Sequence, residues 1–379
     1  MNHLSDLPLE ILINVTEFLF TEDILNLSIC SKYLHDLLYV VKLNIKIEYD
    51  TISGLSYFDS FTDVVYNRFV NTFPKSLKVL YWYCKENLLY LLPDSLQRLY
   101  LGDCYNQPFQ QLPDSLQSLH LGNDYNQPLP QLPDSLISLD LGFYFNQPLP
   151  QLPNSLQNLH LSYYYDQPLP QLPDSLKILH LNLHYNQPLP QLPDSLQSLH
   201  LGWDYNQPLI QFPNSLQSLH LGYYYNQPLP QLPDSLQSIH LGECYNQLLP
   251  RLPNSLQNLY LGNDYNQSLP QLPDSLQSLH LSSNYNQPLP QLPDSLQSIH
   301  LGDYYNQLLP QLPDSLISLV LGSRYNQQLP ALPNSLQSLN LGYNYNLSLP
   351  RLPDSLKYLK IRKKFILPVL PSHVIVKFI

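Results

Sequence analysis

The chain is expected to fold as a small all-α module followed by a β-rich solenoid. The solenoid should have a parallel concave sheet and a proline-rich, non-helical convex side. Three observations predict this. From about residue 90 to 360 the sequence repeats every 20 residues, with a proline before Asp/Asn-Ser-Leu at Pro93, Pro113, Pro133 and onward to Pro353. A strict period near 20 makes a stack in which each unit touches only its neighbours. Proline is 37 of 379 residues and glycine only 11. That excludes long helices and glycine-rich linkers over most of the chain. Finally, 44% of the residues are hydrophobic, which is ample for a core and unlike a disordered composition.

The elements follow in chain order. Residues 3–45 lack the repeat and read as helices. Ser5 and Asp6 are N-cap candidates before Leu7-Pro8, and Leu9, Ile11, Leu12, Val15, Phe18 and Leu19 form an apolar stripe. Asp23 caps a second stretch carrying Ile24, Leu27, Leu34, Leu37 and Leu38. A helical piece of about 40 residues rarely stands alone, so it must lean on the array or on a partner. Residues 46–60 match neither part and are expected to join them. The array should occupy residues 61–379. Tyr66-Asn67 with Pro74-Lys75-Ser76-Leu77 is an early copy, and the next is degenerate, with Glu86-Asn87 at the tyrosine–asparagine place. Pro371-Ser372-His373-Val374 is a worn final copy.

One unit, residues 125–144, shows the expected physics. Leu136, Leu139 and Leu141 have the Leu-x-x-Leu-x-Leu spacing of a leucine-rich repeat. The last part alternates, so it reads as a short strand with Leu139 and Leu141 inward and Ser138, Asp140 and Gly142 outward. Pro128, Pro130 and Pro133 keep the return path extended. Tyr125, Leu129 and Leu132 supply the remaining inward side chains. Leu-Pro-Asp-Ser reads as a turn whose polar side chains bond locally.

Two resemblances attach to these residues. The Tyr/Phe-Asn-Gln-Pro-Leu runs, best at Phe145-Asn146-Gln147-Pro148-Leu149, together with Leu-Pro-Asp-Ser-Leu and Leu-x-Leu-Gly, resemble the FNIP repeats. These are a leucine-rich-repeat variant of amoebae and of large viruses that infect them. Tyrosine here mostly replaces the family phenylalanine, and the 20-residue unit is slightly short. Leu7-Pro8-Leu9-Glu10-Ile11-Leu12, Phe18-Leu19 and Asp23 to Tyr33 resemble an F-box. That resemblance implies docking on a Skp-family adaptor of cullin-RING ubiquitin ligases through Leu7, Pro8, Glu10 and Ile11. The competing reading is a plain helical cap for the solenoid.

A 20-residue period also lines side chains into columns about 5 Å apart. The column from Asn106 to Asn346, with Asp166 as its one exception, is expected to be an internal ladder of amides bonding the next repeat's backbone. The column of Asp94, Asp114 and Asp134 reads as a solvated turn. Eight histidines (His120, His160, His180, His200, His220, His240, His280 and His300) share one concave column. A straight row offers ligands from one side only and cannot close a tetrahedron, so no metal site is expected. No Ser-His-Asp set or carboxylate pair stands out from the repeating background. The informative positions vary: the two residues after each Leu-Gly. Among them Phe143, Tyr144, Tyr163, Tyr164, Trp203, Tyr223 and Tyr224 concentrate aromatics at the strand exits, where exposed aromatics serve as interface anchors. Neutral drift of exposed positions is the competing reading.

The net charge of −11 provides no electrostatic footprint for nucleic acid or anionic membrane. Cys30, Cys84, Cys104 and Cys244 have no disulfide or zinc spacing, as in a reducing compartment. No leader and no apolar stretch of membrane-spanning length is apparent. The expectation is an intracellular adaptor, cytoplasmic or nuclear (in the host cell if viral). It should be no enzyme and need no cofactor, with an F-box holding the ligase adaptor and an array holding a target protein. The alternative is a scaffold or decoy with no ubiquitin-ligase link.

Overall fold

The structure, a computed structural model, describes residues 38, 41–70, 72–86, 92–363, 365 and 373–378. The helices expected over residues 3–37, and with them Leu7, Pro8, Glu10 and Ile11, lie outside the described residues. The chain divides into two units, Met1–Pro173 and Asp174–Ile379.

The first unit contains strands β1 (Leu43–Glu48), β2 (Phe61–Tyr66), β3 (Val79–Trp82), β4 (Arg98–Leu101), β5 (Ser118–His120), β6 (Ser138–Asp140) and β7 (Asn158–His160). One helical turn, α1 (Tyr49–Ile52), and a 3-10 turn (Phe58–Ser60) separate β1 from β2. The strands pair in parallel in chain order. Residues 43–45, expected at the end of the helical module, are therefore strand. The alternation Leu43, Ile45, Ile47 was the local signal, and pairing with β2 decides the outcome. Leu38 is fully buried, and its carbonyl accepts a hydrogen bond from the Ser60 hydroxyl.

The second unit continues the same plan. Its strands are β8 (Ile178–His180), β9 (Ser198–His200), β10 (Ser218–His220), β11 (Ser238–His240), β12 (Asn258–Tyr260) and β13 (Ser278–His280). They are followed by β14 (Ser298–His300), β15 (Ser318–Val320), β16 (Ser338–Asn340), β17 (Tyr358–Ile361) and β18 (Ile375–Phe378). All pair in parallel, in chain order. From β9 to β16 the register steps by 20 residues, for example Ser218↔Ser238, Leu219↔Ile239 and His220↔His240. The worn final copy thus still contributes a strand.

The inward columns are as the pattern requires. Leu136, Leu139, Leu141 and Tyr125 have no exposed surface, and Leu129 and Leu132 are buried. Between strands the backbone makes two two-residue turns, one at the strand exit (residues 123–124) and one at Asp-Ser (residues 134–135), with no helix from residue 92 to 363. The proline-rich side is therefore non-helical. At the turn, the Leu136 amide donates to the Pro133 carbonyl at 3.0 Å, and Asp134 is exposed.

The turn serines behave differently from the local bonding expected of them. Ser135 donates to the Leu116 carbonyl at 2.7 Å, and Ser215, Ser235, Ser255 and Ser275 reach back 19 residues in the same way. Each serine thus ties its repeat to the one before, because stacking places the neighbouring repeat's carbonyl within reach of its hydroxyl.

Buried aromatic rings stack along each unit. Tyr105, Tyr125, Phe145 and Tyr165 are 6.1–6.2 Å apart. In the second unit Tyr205, Tyr225, Tyr245 and Tyr265 are each 6.2 Å from the next. On the open face of the sheet, His200, His220 and His240 are 4.1 Å apart, and Tyr100 and His120 are 4.4 Å apart. Strands are about 4.8 Å apart. Each repeat is thus a wedge, wide at the buried ring and narrow at the outer one, so the sheet is the concave side within each unit.

Candidate protein-binding surface

The varying residue pairs are positioned by the segment that leaves each strand. After the last inward leucine comes, in most repeats, a glycine, and between glycine-bearing repeats such as those of Gly202, Gly222 and Gly242 the backbones approach very closely. A Cβ on Gly222 would lie 1.7 Å from the Gly202 carbonyl oxygen, and one on Gly242 would lie 1.8 Å from that of Gly222. This close approach lets the exit loops form a second backbone ladder outside the sheet. Tyr144 donates to the Asn123 carbonyl at 2.8 Å and Tyr164 to that of Phe143 at 3.2 Å. In the second unit Tyr224 donates to Trp203 at 2.9 Å, Cys244 to Tyr223 at 2.9 Å and Asp264 to Glu243 at 2.8 Å. Sequence reasoning missed this ladder; the glycine column was the available signal.

The seven aromatics singled out from the sequence lie on these loops and outside the core. Tyr144, Tyr164, Trp203 and Tyr224 are exposed at 48%, 41%, 48% and 51%, and Phe143, Tyr163 and Tyr223 are half-buried. In the first unit Phe143 stacks on Tyr163 at 4.5 Å and Tyr144 on Tyr164 at 5.4 Å. Edge contacts of Phe143 with Tyr144 and Tyr164 join the two rows. In the second unit Trp203 stacks on Tyr223 at 4.6 Å, and Tyr223 meets Tyr224 edge-on at 4.8 Å. Such rings are pre-ordered by their neighbours while about half of their surface stays open to solvent at Tyr144, Trp203 and Tyr224. Two more exposed rings in the same columns were overlooked: Tyr343 and Tyr304, the latter with the Arg324 guanidinium 4.0 Å from its centre.

The asparagine column is a ladder, but at the surface rather than inside. Asn206 accepts the Asn226 amide at 2.9 Å and the Gln227 side chain at 3.4 Å, while Asn126 serves Asn146 and Gln147 likewise. What each step uses is the side-chain oxygen, so a carboxylate at Asp166 keeps the needed acceptor. The substitution therefore costs the ladder no acceptor.

The concave histidines form a half-buried ring stack. Burial pushes His220 below the usual imidazole value. Burial, with His220 and His280 nearby, pushes His240 down to about 4. Among the described residues no group of three or more His, Cys, Asp or Glu side chains could hold a metal ion. One polar set does converge, contrary to the sequence reading: Ser118 Oγ is 2.9 Å from His120 Nε2, and His120 Nδ1 is 3.7 Å from Asp140. The adjoining Leu121 amide is spent on the Asp140 carbonyl. That donor is therefore committed to the sheet and does not face the Ser118–His120 pair. No helix among the described residues is long and apolar enough to cross a membrane.

The FNIP Repeat family model matches residues 90–124, 105–144, 145–184, 185–224, 205–244, 225–264, 245–284, 265–304, 285–324, 305–343 and 325–364. The F-box domain model matches residues 4–46. Among solved structures the chain is similar to CroV588, a circular leucine-rich-repeat protein. They share 30% identity over 84% of this chain and 60% of that one, with a TM-score of 0.65. YopM, a leucine-rich effector protein from Yersinia pestis, shares 28% identity over 76% of this chain and 84% of that one, with a TM-score of 0.59. YopM from Yersinia enterocolitica WA-314 shares 25% over 79% of this chain and 66% of that one, with a TM-score of 0.52. The chain thus spans less than two thirds of the length of CroV588. None of the curated proteins matches it.

Proposed function

This chain belongs to the FNIP-repeat family and carries an F-box domain, and on that premise we propose that it recruits a target protein to a Skp–cullin–F-box ubiquitin ligase. An F-box implies the ligase-adaptor role and suggests Skp binding, and a repeat array suggests protein binding. Families of this kind are typically non-catalytic adaptors. The finer assignment is ours. Leu7, Pro8, Glu10 and Ile11 dock the Skp-family adaptor, and Phe143, Tyr144, Tyr163, Tyr164, Trp203, Tyr223 and Tyr224 anchor the target. The mechanism is proximity: tethering raises the effective concentration of target lysines near the ligase.

The observation that carries the reading is the pairing of an F-box match with exposed, stacked aromatics on an otherwise copied scaffold. The reading as a cap without a ligase draws on the buried Leu38 and its bond from Ser60, which tie a residue of the F-box match to the turn that leads into β2. Affinity purification of the full chain separates the two. The parent should recover both a Skp-family adaptor and a target. Leu7→Ala with Pro8→Ala should lose the adaptor and keep the target. Replacing the seven aromatics by alanine should do the reverse, with about 2 kcal/mol of target binding lost at the best single position. Recovery of the target with no adaptor would favour the scaffold.

A further inference from the structure

We propose that the Trp203–Tyr223–Tyr224 face of the second unit takes a basic protein segment, whose Arg or Lys heads lie over these rings and against Glu243 and Asp264. This rests on the recruiting role above and names the class of target. Four observations carry it.

First, the face is aromatic and open: Trp203 and Tyr224 are about half exposed, and Trp203 lies flat against Tyr223. Cations bind such faces through the ring quadrupole.

Second, carboxylates converge on it. Burial first, then Cys244, Tyr224, Glu243 and Asp264, hold the Tyr223 phenol above its ordinary value. Burial first, then Asp264 and Glu243, do the same to the Cys244 thiol. Glu243 accepts the Asn263 amide at 3.1 Å and Asp264 the Asn284 side chain at 3.1 Å. Neither is in an ion pair among the described residues.

Third, the stretch of sequence that builds this face carries no permanent cation. From residue 178 to 250 there is neither lysine nor arginine. His184, the nearest candidate in the exit column, is already bonded to Asp204 at 2.7 Å.

Fourth, the unit contains a filled version of the same seat. Arg324 lies 4.0 Å over Tyr304, the residue 20 positions earlier, beside Asp303. The position equivalent to Arg324 above Tyr224 is Cys244, which leaves that ring uncovered by a cation. The arrangement therefore fits a positive side chain from outside, and an acidic or neutral segment would meet like charge or nothing.

The test uses the full chain at physiological salt and fluorescence anisotropy. The probes are a short labelled peptide alternating arginine and lysine with glycine and serine, and a matched peptide with citrulline for arginine and acetyl-lysine for lysine. The basic peptide should bind at least about tenfold tighter than the neutral one. Trp203→Ala should remove that preference. Cys244→Arg should remove it too, by filling the seat from within as Arg324 does at Tyr304. Tyr304→Ala should leave it intact. Thermal melts of each variant should match the parent. Equal binding of the two peptides would overturn the proposal, as would an unchanged preference in both Trp203→Ala and Cys244→Arg. If the basic peptide fails to bind while replacing the aromatics still releases a captured target, the recruiting role stands and the basic segment falls.

Discussion

Gly222→Ala tests the close stacking of the exit loops. The added methyl would lie 1.7 Å from the Gly202 oxygen and 2.8 Å from its carbonyl carbon. An ordinary carbon–oxygen contact is about 3.3 Å, so the repeats must separate locally by roughly 1.5 Å. The neighbouring ladder bond, Tyr224 to Trp203 at 2.9 Å, stretches with them. Overpacking of this kind costs about 1–3 kcal/mol, and a loosened backbone hydrogen bond adds about 1 kcal/mol. The expected loss is about 2–4 kcal/mol. Serine occurs naturally in this column at Ser282, where the buried hydroxyl donates to the Tyr265 carbonyl at 2.7 Å. Gly222→Ser should therefore regain about 1 kcal/mol of the loss by bonding the Tyr205 carbonyl. Urea unfolding of the full chain measures both, read as a lower midpoint at unchanged slope. An alanine variant within about 0.5 kcal/mol of the parent would refute the reasoning, since that is the scatter of ordinary surface substitutions.

Three further expectations follow from the columns. The Tyr225 hydroxyl is buried with no hydrogen-bond partner, the Leu209 amide lying toward it without forming an ordinary bond, and Phe145 already occupies this column in the first unit. Tyr225→Phe should thus leave the melting temperature unchanged or raise it, by up to about 1 kcal/mol of stability. Stability should fall on both sides of neutral pH. Burial pushes the Tyr225 and Tyr285 phenols up to about 12, so above about pH 10 the unfolded chain loses protons first and folding weakens by roughly 2–3 kcal/mol per phenol. His240, pushed down to about 4, is protonated first in the unfolded chain, so stability falls from about pH 6.5 towards 4. Because that ring is half exposed, screening holds its share to about 1 kcal/mol. Circular dichroism melts across pH check both limbs, and a flat profile would contradict them. Asp166→Asn should change stability by less than about 0.5 kcal/mol, because both side chains present the acceptor the ladder uses; a calorimetric shift above about 1 kcal/mol in either direction would contradict that.

The apolar architecture was legible in the sequence because burial follows period alone. Leu136, Leu139 and Leu141 sit where their spacing requires, and the prolines of the return path forbid a helix. Polar partners were less legible. Ser135 bonds to Leu116, and Asn126 bonds to Asn146, because stacking puts residues 19 or 20 apart within hydrogen-bond distance. A single unit read in isolation offers the serine only its own turn. The exit aromatics were identified from their variation between copies. Their stacking and the backbone ladder beneath them depend on how closely glycine lets neighbouring loops approach. The strand at Leu43–Glu48 was missed because it has no repeat signature and owes its state to pairing with β2.

The most direct measurement is calorimetric titration of the purified full chain with a purified Skp-family adaptor. Saturable one-to-one binding is predicted, lost in the variant carrying Leu7→Ala and Pro8→Ala and kept when the seven exit aromatics are alanine. Absence of binding by the folded parent chain, or binding that the Leu7 and Pro8 substitutions leave untouched, would contradict the ligase-adaptor role.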